Sequence, residues 1–515
     1  MDPKDLLCAA FWNSTGGAED TFDAPVAAAW EAQPSDERPS CTVQHLALCL
    51  ADGRLVRLVA KHVDLRDAAS FRDRAHQKRR RDAYSVETAF YQRMAVGAVK
   101  SGLRLPYPVY MDSSPNPLVS LTVAEDLAYD PRGSLEAAAA PVAFQAASMR
   151  EREARAALAW LAEFHARWWN SAEAGEPGVA GVWRWGTYWT LEATRGDLEG
   201  MDEAWRRTSA AFSVKYKEAF QVPGVRGLGK RLRSAAERLH GLVEGRGGWR
   251  TLVHGDCKSA HFFFREGGEG GLTAWACSFK WMGGGQGVRD VVHLLWSSLE
   301  PDVVAGCEEA LLRHYVKCVK EALAANGQKE SARQFLWGPF AEAYDAAYLD
   351  YVRALVGREW ARLTPAECAS KGRGGDVPMY CRDAGHLVEM ALKANELLGR
   401  CERRLASGPR RAEERLAAAA AREGHGQASS LRRHNRLALA GGRTASVGEG
   451  VFDKVAGLPP LRATMSEAIP RHDDILGGIP EWEPASPRRQ GRGNAQAVDP
   501  KPSRSRFGLG KAKSK

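Results

Sequence analysis

The sequence predicts an α+β fold, in which an N-terminal lobe of antiparallel sheet and one long helix precedes a larger, mainly helical C-terminal lobe. Residues 41–50 and 54–63 alternate partly between apolar and polar side chains. They are joined through Asp52-Gly53, a dipeptide that suits a tight hairpin turn. From Arg66 to about Gly102 apolar residues recur at spacings of three and four, which indicates a helix. The helical pattern then dominates residues 141–401.

Length and composition exclude several classes of protein. The chain has 515 residues, of which 44% are hydrophobic and 26% charged, enough for two or three domains with ordinary cores. This composition excludes whole-chain disorder and collagen-like repeats. The 10 cysteines are scattered and form no CxxC pair, so we expect reduced thiols rather than a zinc ribbon or a disulfide scaffold. The sequence contains no run of 18 apolar residues and starts without a signal-peptide pattern, so we expect a cytoplasmic protein without a membrane span.

The excess positive charge lies at one end of the chain. Residues 401–515 hold 22 of the 72 Lys and Arg residues and only 12 of the 63 Asp and Glu residues, a net charge of +10. The first 400 residues therefore carry a net charge of −1. A basic groove in the folded part is not supported, and only the tail is a candidate for contact with an anionic partner, either nucleic acid or a membrane surface.

These patterns divide the chain into four parts. Residues 1–40 are an irregular lead-in, and residues 41–130 form the N-terminal lobe with the predicted sheet. In this lobe a Pro-containing stretch, residues 105–117, ends the helix before another apolar strand. Residues 131–405 form the helical lobe, interrupted by one short β segment between Leu252 and Trp281. Residues 406–515, rich in Gly, Pro, Ser and Arg, are expected to be largely disordered because their few apolar groups cannot offset the entropy of ordering.

The segment after residue 251 contains the clearest candidate for chemistry. An apolar strand leads into His254-Gly255-Asp256, followed by an aromatic run, a Gly-rich turn and a second strand. A loop carboxylate held by rigid elements suits a general base that accepts a proton from a substrate hydroxyl. Asp256 is equally well explained, on this motif alone, as a turn or capping residue.

This segment resembles the catalytic region of the aminoglycoside-phosphotransferase and choline-kinase-like superfamily, especially its ecdysteroid-kinase-like (CHK kinase-like) branch. The resemblance covers roughly residues 41–400. It rests on the HGD motif and on a Gly-rich loop and second aspartate at fixed spacing. It implies a bilobal protein-kinase-like fold that uses ATP, with Asp256 and His254 as catalytic residues. The loop residues that it implies are Gly283, Gly284, Gly285, Gly287 and Asp290.

The N-terminal lobe carries further matches to the same family. Lys61 matches the strand lysine that such kinases direct to the α and β phosphates, and Glu87 matches the helix glutamate that pairs with it. Residues 121–127, LTVAEDL, resemble the hinge between the lobes, where backbone groups of Glu125 and Leu127 would hold an adenine ring. His165 resembles a residue that supports the catalytic loop by packing and hydrogen bonding.

Two positions depart from the family pattern. The family's Asn and first Asp, both magnesium ligands, correspond here to His261 and Ser278. Magnesium prefers carboxylate oxygens, so the resemblance implies ATP but leaves Mg²⁺ doubtful. Lys280 lies two residues after Ser278, and we expect its side chain to point to solvent.

Two functions therefore remain open. The first is an ATP-dependent phosphotransferase, weak in activity, that acts on the hydroxyl of a small molecule. The alternative is a pseudokinase that keeps the fold as a nucleotide-binding, ligand-binding or interaction scaffold. The sequence does not identify the acceptor or the oligomeric state. An aromatic cluster that either stacks on a ligand or belongs to the core comprises Trp183, Trp185, Tyr188 and Trp189.

Overall fold

The structure, a computed structural model, places an antiparallel sheet and one long helix before a larger, mainly helical part. This confirms the predicted α+β architecture. The predicted lead-in and basic tail lie almost entirely outside the described residues. The residues that the structure describes are 36–38, 41–49, 55–67, 71, 74–112, 118–129, 142–244, 248–267, 271–372 and 374–406.

The N-terminal sheet has five strands in the order β1-β2-β3-β5-β4, and all neighbouring pairs are antiparallel. The predicted hairpin is confirmed, because β2 and β3 pair along their whole length from Cys41↔Val63 to Cys49↔Leu55. Lys61 lies on the central strand β3, opposite Val43 on one side and Thr122 on the other. The strands are β1 Asp36–Arg38, β2 Cys41–Cys49, β3 Leu55–Asp64, β4 Pro108–Asp112 and β5 Val119–Glu125.

The long helix starts later than the sequence pattern indicates. Helix α1 spans Arg74–Phe90, continues through a π-helical turn at Tyr91–Ala95 and ends as α2, Val96–Lys100. Its last turns pack into the large core of the helical part, where the ring of Phe90 lies 4.1 Å from that of Phe279. The helix therefore connects the sheet to the helical part and fixes the position of Glu87.

A second group of strands supports the predicted catalytic loop. Strand β7 (Arg250–Val253) pairs antiparallel with β10 (Gly283–Gln286), and β8 (Phe262–Glu266) is central between β6 (Ala143–Phe144) and β9 (Leu272–Ala276). The single short β segment expected here is therefore too simple, because two small sheets are present.

The Gly-rich stretch expected as a loop is partly a strand. Gly283 and Gly285 lie on β10, and a Cβ atom on Gly283 would lie 2.3 Å from the carbonyl oxygen of Trp183. The glycines thus permit the Trp183 segment to pass close to β10. Because glycine has a low β propensity, the sequence pattern does not indicate a strand here. Gly287 immediately precedes the next helix, and Asp290 lies in the first turn of that helix rather than in a loop.

Helices make up most of the remaining described chain, and the helix containing Asp290 lies in the core. None of the described helices is long and apolar enough to cross a membrane. The eight cysteines whose side chains are described are all free thiols. The helices are α3 Glu151–Arg167, α4 Ala172–Gly175, α5 Pro177–Ala180, α6 Leu191–Thr194, α7 Met201–Ser213, α8 Lys217–Gln221, α9 Leu228–Glu244, α10 Val288–Ser298, α11 Pro301–Ala325, α12 Lys329–Gln334, α13 Trp337–Arg358, α14 Pro365–Ser370, α15 Met379–Arg382 and α16 Ala384–Ala406.

Candidate active site

The loop after β7 is held by the carboxylate of Asp290. This side chain accepts hydrogen bonds from the backbone amides of His254 (2.6 Å) and Gly255 (2.9 Å). The Nε2 atom of His165 lies 3.1 Å from the same carboxylate, and its Nδ1 lies 2.8 Å from the hydroxyl of Tyr315. Burial alone would raise the pKa of Asp290, but the hydrogen bond and charge of His165 outweigh it and lower the pKa. Asp290 is therefore an ionised clamp that fixes the loop, and His165 supports it as expected.

His254 holds the loop from inside the core. Its ring is fully buried and packs 4.9 Å from the ring of Phe279. Its Nε2 donates to the carbonyl of Cys277 at 3.0 Å, and its Nδ1 accepts from the amide of Asp256 at 3.3 Å. Burial lowers the pKa of His254, which is consistent with this neutral ring. The geometry favours a positioning role for His254 over the catalytic role expected from the motif.

Asp256 presents a buried carboxylate beside several cationic or polar groups. Its residue is 5% exposed, and Oδ1 has no hydrogen-bond partner in the described part of the chain. Oδ2 lies 3.9 Å from Nζ of Lys258 and 3.6 Å from Nδ1 of His261. Burial alone would raise the pKa of Asp256, but nearby charges, with Lys258 the largest contributor, outweigh burial and lower the pKa well below its usual value. The carboxylate is therefore ionised at neutral pH, and its Oδ1 is a buried acceptor without a partner among the described residues.

Lys61 and Glu87 form the pair predicted from the sequence. Nζ of Lys61 lies 2.5 Å from Oε2 of Glu87, and the Lys61 side chain is 20% exposed. Nζ also lies 5.0 Å from the ring centroid of Tyr84, which faces it from the same helix as Glu87. Burial alone would lower the pKa of Lys61, but the charge of Glu87 reverses the effect and raises it. Lys61 is therefore a fixed, permanently charged cation.

Lys280 does not simply point to solvent as expected. Its Nζ lies 5.6 Å from the ring centroid of Tyr84, the same ring that Lys61 faces. Burial and the charge of Lys61 lower its pKa to about 8, although Glu87 and Asp256 oppose them. Lys280 thus lies within electrostatic reach of both Lys61 and Asp256. The charges of Lys61 on the sheet and Asp256 in the loop therefore both act on Lys280.

The two predicted metal positions carry groups poorly suited to magnesium. His261 donates from Nδ1 to the backbone carbonyl of Asp256 at 2.7 Å, and burial lowers its pKa well below the usual value, so the ring is neutral. Ser278 offers a hydroxyl from a left-handed backbone position with φ of 72°. Among the described residues no group of three or more His, Cys, Asp or Glu side chains could hold a metal ion. The site as built does not fit Mg²⁺.

The predicted adenine-binding groups already have partners within the protein. The amide of Glu125 donates to the carbonyl of Tyr107 at 3.0 Å, and its carboxylate accepts from the Tyr107 amide at 3.3 Å. The carbonyl of Leu127 accepts from Arg265 at 3.1 Å. These contacts tie β4 to β5 and β5 to β8. Glu125 and Leu127 therefore make structural contacts, and their role in adenine binding stays a prediction.

The structure adds His293 and Tyr188 to the site. The Tyr188 hydroxyl lies 3.3 Å from Nε2 of His293, and the charge of Asp256 affects the pKa of both groups. Nδ1 of His293 is buried without a partner among the described residues. His293 follows Asp290 by three residues on α10, so the two share a helix face, a spacing that was visible in the sequence.

The predicted aromatic cluster does not form one surface. Trp189 is buried and packs against Tyr351, so it belongs to the core. Trp183 stacks on Trp281 at 5.6 Å, and Trp185 lies beneath the guanidinium of Arg250. Of the four residues, Tyr188 is the one that the structure connects to Asp256 through His293.

Comparisons with known proteins identify similar folds at low sequence identity. No family model matches the sequence, and no curated protein matches it. The chain is similar to the structure of a microcompartment-associated aminopropanol kinase, with 13% identity and a TM-score of 0.41 over 78% of this chain and 98% of that chain. A GDP complex of an aminoglycoside 2'-phosphotransferase IIIa mutant gives 11% identity and a TM-score of 0.34 over 73% and 93%. A GDP and kanamycin complex of an aminoglycoside phosphotransferase shows 16% identity and a TM-score of 0.30, over 62% of this chain and 95% of that chain. All three TM-scores lie below 0.5, so the function is inferred below from this chain's own geometry.

Proposed function

We propose that this protein is a phosphotransferase that transfers a phosphoryl group from a nucleoside triphosphate, ATP by resemblance, to the hydroxyl of a small molecule. One observation carries the proposal. The Asp256 carboxylate is buried and ionised, and its Oδ1 has no partner among the described residues. This carboxylate and the fixed cation of Lys61 both lie within electrostatic reach of Lys280. Phosphoryl transfer relies on a group that orients the attacking hydroxyl and on cations that neutralise the phosphates. Both kinds of group are present.

Asp256 is suited to act on the acceptor hydroxyl. An aspartate with a low pKa is ionised at neutral pH, so it can accept a hydrogen bond from the hydroxyl and orient its lone pair. In a loose transition state the hydroxyl proton is transferred late, so a weak base in the correct place is adequate. His254 and Asp290 act as positioning residues, because their side chains accept hydrogen bonds from three successive amides that end at Asp256.

Lys61 is suited to bind the phosphate donor. Glu87 holds the ammonium group in one place through a 2.5 Å contact, so little side-chain entropy remains to be lost on binding. The donor supplies the phosphoryl group, and Lys61 neutralises charge on its phosphate oxygens. The contact between Lys61 and Glu87 supports a role for this pair in nucleotide binding, with backbone groups of Glu125 and Leu127 as the predicted adenine-binding groups.

The acceptor side is formed by polar atoms near Asp256. Nδ1 of His293 and Oγ1 of Thr187 are buried and lack hydrogen-bond partners among the described residues, as Oδ1 of Asp256 does. Buried polar atoms without partners are costly unless a ligand or water pairs with them. A small molecule with several hydroxyl groups would satisfy them.

A pseudokinase is the second candidate. The specific observation in its favour is that positions 261 and 278 carry His and Ser, so the charge neutralisation usually provided by metal ions is lost there. In this reading the cleft binds a nucleotide or another ligand without turnover, and the chain acts as a scaffold.

The decisive experiment measures ATP consumption by the full chain against a pool of alcohols, amino alcohols and aminoglycosides. We expect consumption that depends on an acceptor, and a decrease in kcat of about 100-fold or more for Asp256→Asn, because the attacking hydroxyl loses its anionic partner. Asp302→Asn is the matched control, since that carboxylate is 68% exposed on α11 and pairs with Arg150.

Three outcomes separate the candidates. Acceptor-dependent turnover that Asp256→Asn abolishes supports the phosphotransferase. Nucleotide-induced thermal stabilisation without turnover for any acceptor supports the pseudokinase. Neither stabilisation nor turnover contradicts both.

A further inference from the structure

Three lysines from separate segments lie near one another between the N-terminal sheet and the Asp256 loop. Lys61 comes from β3, Lys258 from the loop after β7, and Lys280 from the loop between β9 and β10. Nζ of Lys61 and Nζ of Lys280 lie 5.0 and 5.6 Å from the ring centroid of the same residue, Tyr84. Nζ of Lys258 lies 3.9 Å from Oδ2 of Asp256, and Lys280 also lies within electrostatic reach of that carboxylate.

Lys280 is the lysine of this cluster that has no ion-pair partner among the described residues. Lys61 is paired closely with Glu87, and Lys258 lies 3.9 Å from Asp256. The two other positions that could have contributed ligands, His261 and Ser278, carry a neutral ring and a hydroxyl. A partly buried cation is unfavourable unless an anion pairs with it.

Lysines can neutralise a phosphate chain in place of a divalent cation. Each ammonium group offers three hydrogen-bond donors and acts as a compact point charge for phosphate oxygens. A magnesium ion, in contrast, would be repelled by the neighbouring ammonium groups and would find no carboxylate at positions 261 and 278. The same residues thus disfavour the metal and favour the bare anion.

We infer that Lys61, Lys258 and Lys280 form a metal-independent binding site for the phosphate chain of a nucleotide. The inference rests on the proposed function, because it concerns the donor side of the same cleft. Lys61 provides the fixed cation next to the sheet, Lys258 provides the cation next to Asp256, and Lys280 lies within electrostatic reach of both. The site selects for a di- or triphosphate that is not complexed with a metal.

The test measures binding of ATP and of inorganic tripolyphosphate to the full chain by calorimetry, in excess EDTA and again with Mg²⁺. We expect both anions to bind in EDTA, with no gain in affinity when Mg²⁺ is added. Lys280→Met removes the charge but keeps an unbranched side chain, and we expect it to weaken both anions about tenfold in EDTA. Lys280→Arg keeps the charge and should retain most of the affinity.

A matched control is available outside the cleft. Lys215 is exposed after α7, and its Nζ lies 5.3 Å from the ring centroid of Tyr216, so Lys215→Met removes another lysine that packs on a tyrosine. It should leave both affinities unchanged. Circular dichroism melting of each variant identifies loss of fold, and Lys258→Met provides a second test of the cluster if Lys280→Met unfolds.

The outcomes distinguish the inference from the proposed function. ATP binding that requires Mg²⁺ overturns the inference and leaves the phosphotransferase standing. Binding in EDTA that neither Lys280→Met nor Lys258→Met weakens also overturns the inference. If neither anion binds in either condition, the inference and the proposed function fail together.

Discussion

His261, which contacts the Asp256 loop, and Ser278 occupy the two positions where the sequence resemblance predicted magnesium ligands. The Nδ1 proton of His261 is engaged by the carbonyl of Asp256, so this ring stabilises the loop instead of binding a hard cation. Ser278 has a positive φ of 72°, a conformation that Asp and Asn also tolerate. His261 and Ser278 therefore differ from magnesium ligands only in their side chains. Two substitutions could restore a metal site without a change in backbone conformation.

The double substitution His261→Asn and Ser278→Asp should introduce a metal response. It supplies an amide oxygen and a carboxylate, ligands that magnesium accepts. We expect ATP affinity to increase about tenfold, or about 1.4 kcal/mol, on adding Mg²⁺ to the variant, and to change little in the original chain. Calorimetry with and without EDTA measures the difference, and an unchanged Mg²⁺ response would mean that these positions do not face the phosphate site.

At the scale of elements, the loop that carries Asp256 depends on a close approach between backbone segments. Gly255 has a φ of 83°, and a Cβ atom there would lie 2.0 Å from the carbonyl oxygen of Trp281. The amide of Thr187 also donates to that carbonyl at 2.9 Å. Three segments thus meet at one point, and only a residue without a side chain fits.

Gly255→Ala should therefore disrupt the loop. The added methyl group meets backbone atoms and the conformation is strained for alanine, so we expect a loss of about 2 kcal/mol or more in unfolding free energy. Gly241→Ala is the control, because Gly241 lies in α9 with open space around its Cβ position and alanine favours helix. Urea unfolding distinguishes them, and equal midpoints for the two variants would contradict the described packing.

A buried ionic network joins three helices behind the site. Asp350 on α13 accepts from Arg289 on α10 at 3.0 Å and from Arg353 at 2.7 Å, and Arg289 also contacts Glu244 on α9 at 2.8 Å. All of Arg289, Asp350 and Arg353 are at most 1% exposed. Removing the central carboxylate would take from Arg353 its charged partner in this network and would leave Arg289 with Glu244 alone.

Asp350→Asn should cost about 3 to 5 kcal/mol of unfolding free energy. Burial alone would raise the pKa of Asp350, but Arg353 and Arg289 lower it overall, so its contribution is present above the unfolded value and is lost as pH falls through the folded pKa. Urea unfolding should therefore show the original chain losing stability below about pH 4, and the variant losing less. Glu309→Gln, which breaks an exposed pair with Arg313, should change stability by less than about 0.5 kcal/mol. A similarly small effect of Asp350→Asn would contradict the network.

At the scale of the whole molecule, the sequence predicts those features that depend on local pattern. Alternating residues joined by Asp-Gly correctly indicate the β2–β3 hairpin, and the 26-residue separation of Lys61 and Glu87 corresponds to their observed contact. Contacts between residues that are far apart in the sequence are harder to predict. Glycines 283 to 285 resemble a loop because nothing local reveals that the Trp183 segment passes beside them. Lys280 faces Tyr84, almost two hundred residues away, and no pattern near Lys280 encodes that contact.

Binding of an anionic partner by the basic tail is also a property of the whole molecule. The basic tail predicted at residues 406–515 lies almost entirely outside the described residues, and its contact with an anionic partner stays a prediction. The sheet and helical part contain the whole candidate site, because Lys61, Asp256 and Lys280 all lie in described segments.

We propose that the sheet lysine and the Asp256 loop bind one ligand together. Amine-reactive labelling of the full chain, read by mass spectrometry with and without ATP in EDTA, tests this directly. We predict that ATP protects Lys258, beside Asp256, and Lys280, which faces the same Tyr84 ring as Lys61, and leaves the labelling of Lys215 unchanged. Lys61 itself stays protonated beside Glu87 and reacts little in either condition. Bound ATP that protects neither Lys258 nor Lys280, or that protects only lysines elsewhere, would contradict a shared ligand.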